Sequence, residues 1–179
     1  MTSSRSDLDA DSWAFDLRVY AWPGVADACL TLQDRAGVDV MLLLICAFAS
    51  VEKRILLTQA EIREIDEACR PWREEVVRSL RLIRKRLKTG PPPAPDDKTE
   101  QFRKTIKVAE LAAERLQNRL LADRLPLKPA ERNAISPEDV RNVLRTVVRL
   151  ALERQDKGET EIFDHPIDVI VAAAMQHAP

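Results

Sequence analysis

Only four glycines, at positions 24, 37, 90 and 158, occur among 179 residues. A chain built from hairpins or strand-to-helix turns needs more, because such turns use backbone conformations that side chains oppose. Isolated glycines also cannot form a phosphate-cradling loop, which removes the main support for nucleotide binding. Cysteine is scarce as well: Cys29, Cys46 and Cys69 are widely spaced and form no Cys-x-x-Cys pair. The first eleven residues are polar and acidic, unlike the basic-then-apolar pattern of a secretory leader. Reduced, largely buried thiols in a cytoplasmic protein are the expectation. The longest apolar run, residues 40–49, has about half the length needed to span a bilayer and reads as a buried core helix. Lys and Arg number 28 against 29 Asp and Glu, a net charge of -1, which argues against the uniform basic field of a general nucleic-acid binder.

What is present is helical periodicity. Ser12 is placed to cap a short first helix carrying Trp13, Phe15, Leu17 and Tyr20, ending before Pro23-Gly24. A second helix is expected over 25–35, with Gly37 suited to a left-handed exit. Asp39 then caps a third over 40–53, apolar nearly all round at its start. Thr58-Gln59-Ala60-Glu61 is a capping box, and the helix it opens meets Pro71, which kinks it or starts a new one. From there Trp72, Val76, Leu80, Ile83 and Leu87 form one stripe. The proline-rich connector 90–97 precedes a long helix whose apolar seam is Phe102, Ile106, Ala109, Ala113, Leu116 and Leu120. Two long helices joined in this way predict an antiparallel pair. Ser136-Pro137-Glu138-Asp139 opens another helix, and a last short one is expected over 166–175. The fold class is all-α: a bundle of six to eight helices with a long antiparallel pair. It divides into a flexible N-terminus (1–11), a helical core (12–125) and a helical C-terminal extension (126–179).

Three blocks carry a family resemblance. They are Trp13-x-Phe15 with Tyr20, Cys29-Leu30-x-Leu32-Gln33-Asp34 and Gly37-x-Asp39-Val40-x-Leu42-Leu43; then Pro71-Trp72-Arg73 with Val76-Val77, Leu80-Arg81 and Arg84; then Glu110-Leu111 with Ala113-Glu114-Arg115-Leu116. Together they resemble an uncharacterised bacterial family of small all-helical proteins, over about residues 12–121. The resemblance implies no activity, and residues beyond 126 look like an extension outside the shared region.

Catalytic signatures are missing. A di-metal bundle needs inward glutamates and Glu-x-x-His pairs, whereas the two histidines, His165 and His177, lie near the C-terminus and in no such pair. Glu110 and Glu114 share a helix face and read as salt-bridged or solvated. Cys29 and Cys46 sit on apolar faces, where a thiol is a small core residue, and Cys69 has no neighbouring base. No catalytic residue, metal site or cofactor is expected. One polar group stands out in the apolar N-terminal half: Trp13, Tyr20, Gln33, Asp34 and Asp39. The simplest reading is a clasp locking the first three helices, and the alternative is a small-molecule pocket.

The second feature is a basic helix over 72–88. Arg78, Arg81, Lys85 and Lys88 fall at helical spacing opposite much of its apolar stripe. Cations in a helix's last turn are favoured by its dipole, and no aromatic residue interleaves with them as a stacking platform. The function expected first is therefore non-catalytic, with the basic helix pair as the contact surface for another protein. Nucleic acid and an anionic membrane surface are the alternative partners for this helix, and a binder or enzyme using the N-terminal polar group is the other alternative. The sequence leaves the oligomeric state open.

Overall fold

The third helix sets the architecture. In the computed structural model, which describes residues 5–126, 128, 134–156 and 160–176, α3 (Val40–Val51) has ten of its twelve residues buried. A helix apolar on every side needs neighbours all round. It receives them from α1 (Arg5–Tyr20), α2 (Val25–Ala36), α6 (Asp97–Arg124), α7 (Pro137–Glu153) and α8 (Asp164–Met175). The chain is all-helical, and no strand occurs among the described residues. Nor is any described helix long and apolar enough to cross a membrane.

Several ends form where local chemistry dictates. Gly37 exits α2 at φ 67, donating its N–H to the Gln33 carbonyl at 3.1 Å, a conformation that a side chain would strain. Asp39 caps α3 by accepting the Met41 N–H at 3.0 Å. Thr58 and Glu61 make the expected capping box at the start of α4 (Gln59–Trp72), and Ser136 with Asp139 makes another at α7. Asp96 and Thr99 close a third, unanticipated box at α6.

Other boundaries differ from expectation. The first helix begins at Arg5, so residues 5–11 of the expected flexible N-terminus are helical. Ser12 is no cap: it is buried inside α1, accepting a hydrogen bond from Asn118 Nδ2 at 3.0 Å. Pro71 neither ends α4 nor starts a helix. The rod continues through a π-helical turn, Arg73–Val77, into α5 (Arg78–Arg86). Proline removes the N–H that would serve the Glu67 carbonyl one turn back, and the π turn follows two residues later, where the Arg78 N–H reaches the Arg73 carbonyl five residues before it. Asp66, Cys69, Arg73 and Val77 are buried, whereas beyond the insertion the expected stripe no longer faces inward and Ile83 stands 44% exposed. With α4 to α5 counted as one continuous rod, the described chain has seven helical rods.

The long pair does form. Arg81 pairs with Glu114 at 2.5 Å and Arg84 with Glu110, so residue numbers rise along α5 as they fall along α6, which makes the helices antiparallel. The expected apolar seam of α6 is only partly inward. Phe102, Leu116 and Leu120 are exposed, and the buried face is Glu110, Ala113, Gln117, Asn118 and Leu121. A polar face is buried here because the opposing helices bring arginines and carboxylates to meet it.

The expected C-terminal extension completes the core. α7 lies on α3, α8 lies on α2 and α7, and Leu144, Val148, Ile167 and Ile170 are wholly buried. Eight residues of α7 are buried, and large aliphatic side chains contribute about 1.5–3 kcal/mol each. Their loss would rival a typical total stability of about 5–15 kcal/mol. A chain truncated after residue 125 is therefore expected to lose cooperative thermal unfolding. Circular dichroism melting checks this, and an intact sharp transition would show that the N-terminal part folds alone.

Candidate functional site

A cavity of about 370 Å³ opens where α1, α2, α5, α6 and the start of α3 converge. Its walls are mostly apolar, including Leu17, Leu30, Met41, Leu44, Val77 and Leu111. The helix phases explain this. Leu17 and Leu30 lie off the buried faces of α1 and α2, and both remain half exposed. They face the space that the α5–α6 pair leaves open.

Beneath the apolar wall lies a polar floor. The buried Arg73 guanidinium donates to Asp39 at 2.9 Å and to Asp66 at 2.6 Å. Gln117 Nε2 donates to the same Asp39 oxygen at 2.5 Å, and Arg154, at the end of α7, donates to Asp66. On the flank, Arg81 donates to Glu110 at 2.8 Å, to Glu114 at 2.5 Å and to Gln33. Burial pushes the Glu114 carboxyl above its ordinary value despite Arg81. At Glu110 burial acts in the same direction, but the guanidiniums of Arg84 and Arg81 outweigh it and hold the carboxyl low.

Asp16 departs from this pattern of matched charges. It lies in the cavity wall, 4% exposed, and neither carboxylate oxygen has a hydrogen-bond partner. Desolvation raises its pKa well above the ordinary carboxylate value, opposed only by the Arg115 guanidinium. That guanidinium is engaged elsewhere: it binds Asp9 through both terminal nitrogens and lies 5.3 Å from the Trp13 ring centroid. A buried carboxyl without partners costs stability, so its presence needs an explanation.

Of the sequence-derived polar group, Trp13, Tyr20, Gln33 and Asp39 line this one cavity. Asp34 does not; it is exposed on the outer face of α2, 3.8 Å from Lys85. From the basic set, Arg78 and Arg81 also line the cavity, while Lys85 and Lys88 lie on the exposed outer side of the helix. Arg78 is held by Glu74 at 2.6 Å. Asp16, Arg73, Glu114 and Gln117 join the site without having been assigned to it. A signal existed for two of them. Ser12 and Asp16 recur at helical spacing with Phe15 and Val19, and Asp66 and Arg73 share the face of Cys69, which places polar residues on buried faces.

Nothing in the site is an activated nucleophile. Burial, reinforced by Asp16, pushes the Cys29 thiol up to about 12. Burial and the Asp39 charge push Cys69 to about 11 and raise Cys46 as well. Among the described residues no group of three or more His, Cys, Asp or Glu side chains is arranged to hold a metal. His165 is exposed on α8, and His177 lies outside the described residues.

Residues 11–121 match the protein family of unknown function DUF2390. The chain belongs to this family. No curated protein and no solved structure matches it. The DUF2390 match runs from α1 through α6 and contains every residue lining the cavity, whereas α7 and α8 lie beyond it. The shared region therefore carries the whole cavity wall, and the helices beyond it support that wall from behind.

Two outcomes follow from these charges. Removing Arg73 leaves Asp39 and Asp66 buried without their shared cation, so Arg73→Ala is expected to cost about 3–5 kcal/mol in urea unfolding. For Asp16 the sign is opposite. Its folded pKa lies above the unfolded value of about 3.9, so the folded state holds the proton more tightly. Stability then declines as pH rises from about 4 through the folded pKa. Asp16→Asn removes that decline and should raise Tm near pH 7.5, by about 2–4 °C per kcal/mol relieved. The gain should shrink toward pH 4.5; a gain independent of pH would contradict the assignment.

Proposed function

We propose that this protein binds a small, largely apolar molecule in the cavity between α1, α2, α3, α5 and α6. The carrying observation is the Asp16 carboxyl, buried in the cavity wall with neither oxygen satisfied. Ligand sites typically combine an apolar enclosure of about 300–1,000 Å³ with few convergent polar groups, and this cavity has that composition. The ion network of Arg73, Asp39, Asp66 and Gln117 supports the floor of this cavity. Binding rather than catalysis is the reading, because the other lining carboxylates, Asp39 and Glu114, are tied to arginines and burial pushes the Cys29 thiol up to about 12. The three buried free thiols fit a reducing bacterial cytoplasm as the place of action.

Docking of another protein, nucleic acid or an anionic membrane on the basic helix has less support. Arg81 faces the cavity and Arg78 is paired with Glu74, which leaves Lys85 and Lys88 as the outward cations of the set. Exposed Leu82 and Val108 on the helix pair do not specify a partner.

Thermal-shift screening of small apolar molecules bearing one polar head should yield compounds that raise Tm. Their effect should vanish in Ala21→Trp, which fills the cavity mouth, and persist in Leu82→Glu on the outer face of α5. Hits indifferent to Ala21→Trp, or an absence of hits, would refute the reading.

A further inference from the structure

We infer that the ligand is an organic amine: an aromatic or aliphatic body seated against the apolar wall, with its ammonium group on the Asp16 carboxylate. This rests on the binding function proposed above and names the ligand's class.

The charges around the cavity are matched at every group but one. Three arginines line it, and each is already satisfied by protein carboxylates. Arg73 is held by Asp39 and Asp66, Arg78 by Glu74, and Arg81 by Glu110 and Glu114. An anionic ligand would have to displace one of these pairs and leave a carboxylate stranded in its place. Two of the three lining carboxyls are likewise engaged: Asp39 by Arg73, Gln117 and the Met41 N–H, and Glu114 by Arg81. Asp16 alone has no partner. The one unmatched group is thus an acid, and its complement is a cation.

The surroundings favour an amine over a simple ion. Asp16 is one carboxylate in a mostly apolar enclosure, far short of the six to eight oxygens that a hard metal cation takes. An ammonium on an apolar body needs a counter-charge for its head and dry surface for its tail; the cavity supplies the second, and Asp16 supplies the first once its side chain turns its closed-off oxygens toward the cavity. Trp13 and Tyr20, about one turn before and one turn after Asp16 on α1, add aromatic rings to the lining, and ring faces attract organic cations. Burial holds the Asp16 carboxyl well above the ordinary carboxylate value, and an ammonium placed beside it would oppose that shift by favouring the ionised form. Protonated Asp16 could alternatively donate a hydrogen bond to a neutral carbonyl or hydroxyl, and that option is an outcome of the test.

The test compares ligands of one shape and different head charge on the full-length protein. Calorimetry would measure 2-phenylethylamine, 2-phenylethanol and phenylacetate, and equally tryptamine, tryptophol and indole-3-acetate, near pH 7.5. The amine of at least one set is expected to bind at least tenfold more tightly than its alcohol, and the carboxylate most weakly. Asp16→Asn, which should fold at least as stably as the parent, is expected to weaken the amine at least tenfold while leaving the alcohol within about threefold.

Alcohols that match or exceed their amines, or amine binding untouched by Asp16→Asn, would overturn the amine assignment and leave the pocket reading standing. Carboxylates binding best would overturn it in favour of an anion displacing an arginine pair. If no compound of either set binds, the amine assignment fails for these bodies. Screening hits sensitive to Ala21→Trp would then still separate a valid pocket from a wrong ligand class.

Discussion

Arg73 brings its guanidinium into the interior at the point where the start of α3, the α4–α5 rod and α6 meet. It stands at the head of the π turn, on the buried face that α-helical spacing gives it with Asp66 and Cys69. The cation then serves two carboxylates at once, one capping α3 and one on α4, with Gln117 of α6 and Arg154 of α7 as further donors. Four rods, α3, α4–α5, α6 and α7, are joined through this cluster. Taking charges from water is expensive, and a buried ion cluster is not in itself strong evidence of stability. Its evident effect is geometric: it holds α3 and α6 at a set spacing and keeps the cavity between them from collapsing.

With that floor satisfied internally, the unsatisfied Asp16 gains meaning. A protein able to match so many buried charges elsewhere leaves this one alone, in the wall of a largely apolar cavity. Residues that weaken a fold while sitting in a cleft are the usual mark of a functional site. The contrast with Glu110 is instructive. Both are buried acids, but two arginines hold Glu110 in its charged form, and no comparable pair reaches Asp16.

The helical fold was legible because apolar periodicity, caps and the glycine shortage all point the same way. Gly37, Asp39 and the Thr58 and Ser136 boxes each act over a few residues, so the sequence states them directly. Less legible was which face of each long helix turns inward. The π turn after Pro71 shifts the phase of α5, and no local pattern announces whether proline kinks, ends or merely widens a helix. On α6 the inward face is polar, and a reading that seeks apolar seams passes over it. The site was half legible for the same reason. Trp13, Tyr20, Gln33 and Asp39 stand out as polar or amphipathic residues in an apolar stretch. Asp16, Arg73 and Gln117 become site residues only once distant helices are brought together.

The order of helices along the chain has a consequence for synthesis. The segment most in need of cover, α3, leaves the ribosome some 85 residues before α7 begins, and α8 comes later still. At about 5–20 residues per second, the apolar run 40–51 waits on the order of ten seconds for its covering helices. A nascent chain carrying so apolar a stretch invites capture by chaperones or by its neighbours on a polysome. The capped rod from Thr58 onward, rich in charge, emerges directly behind it.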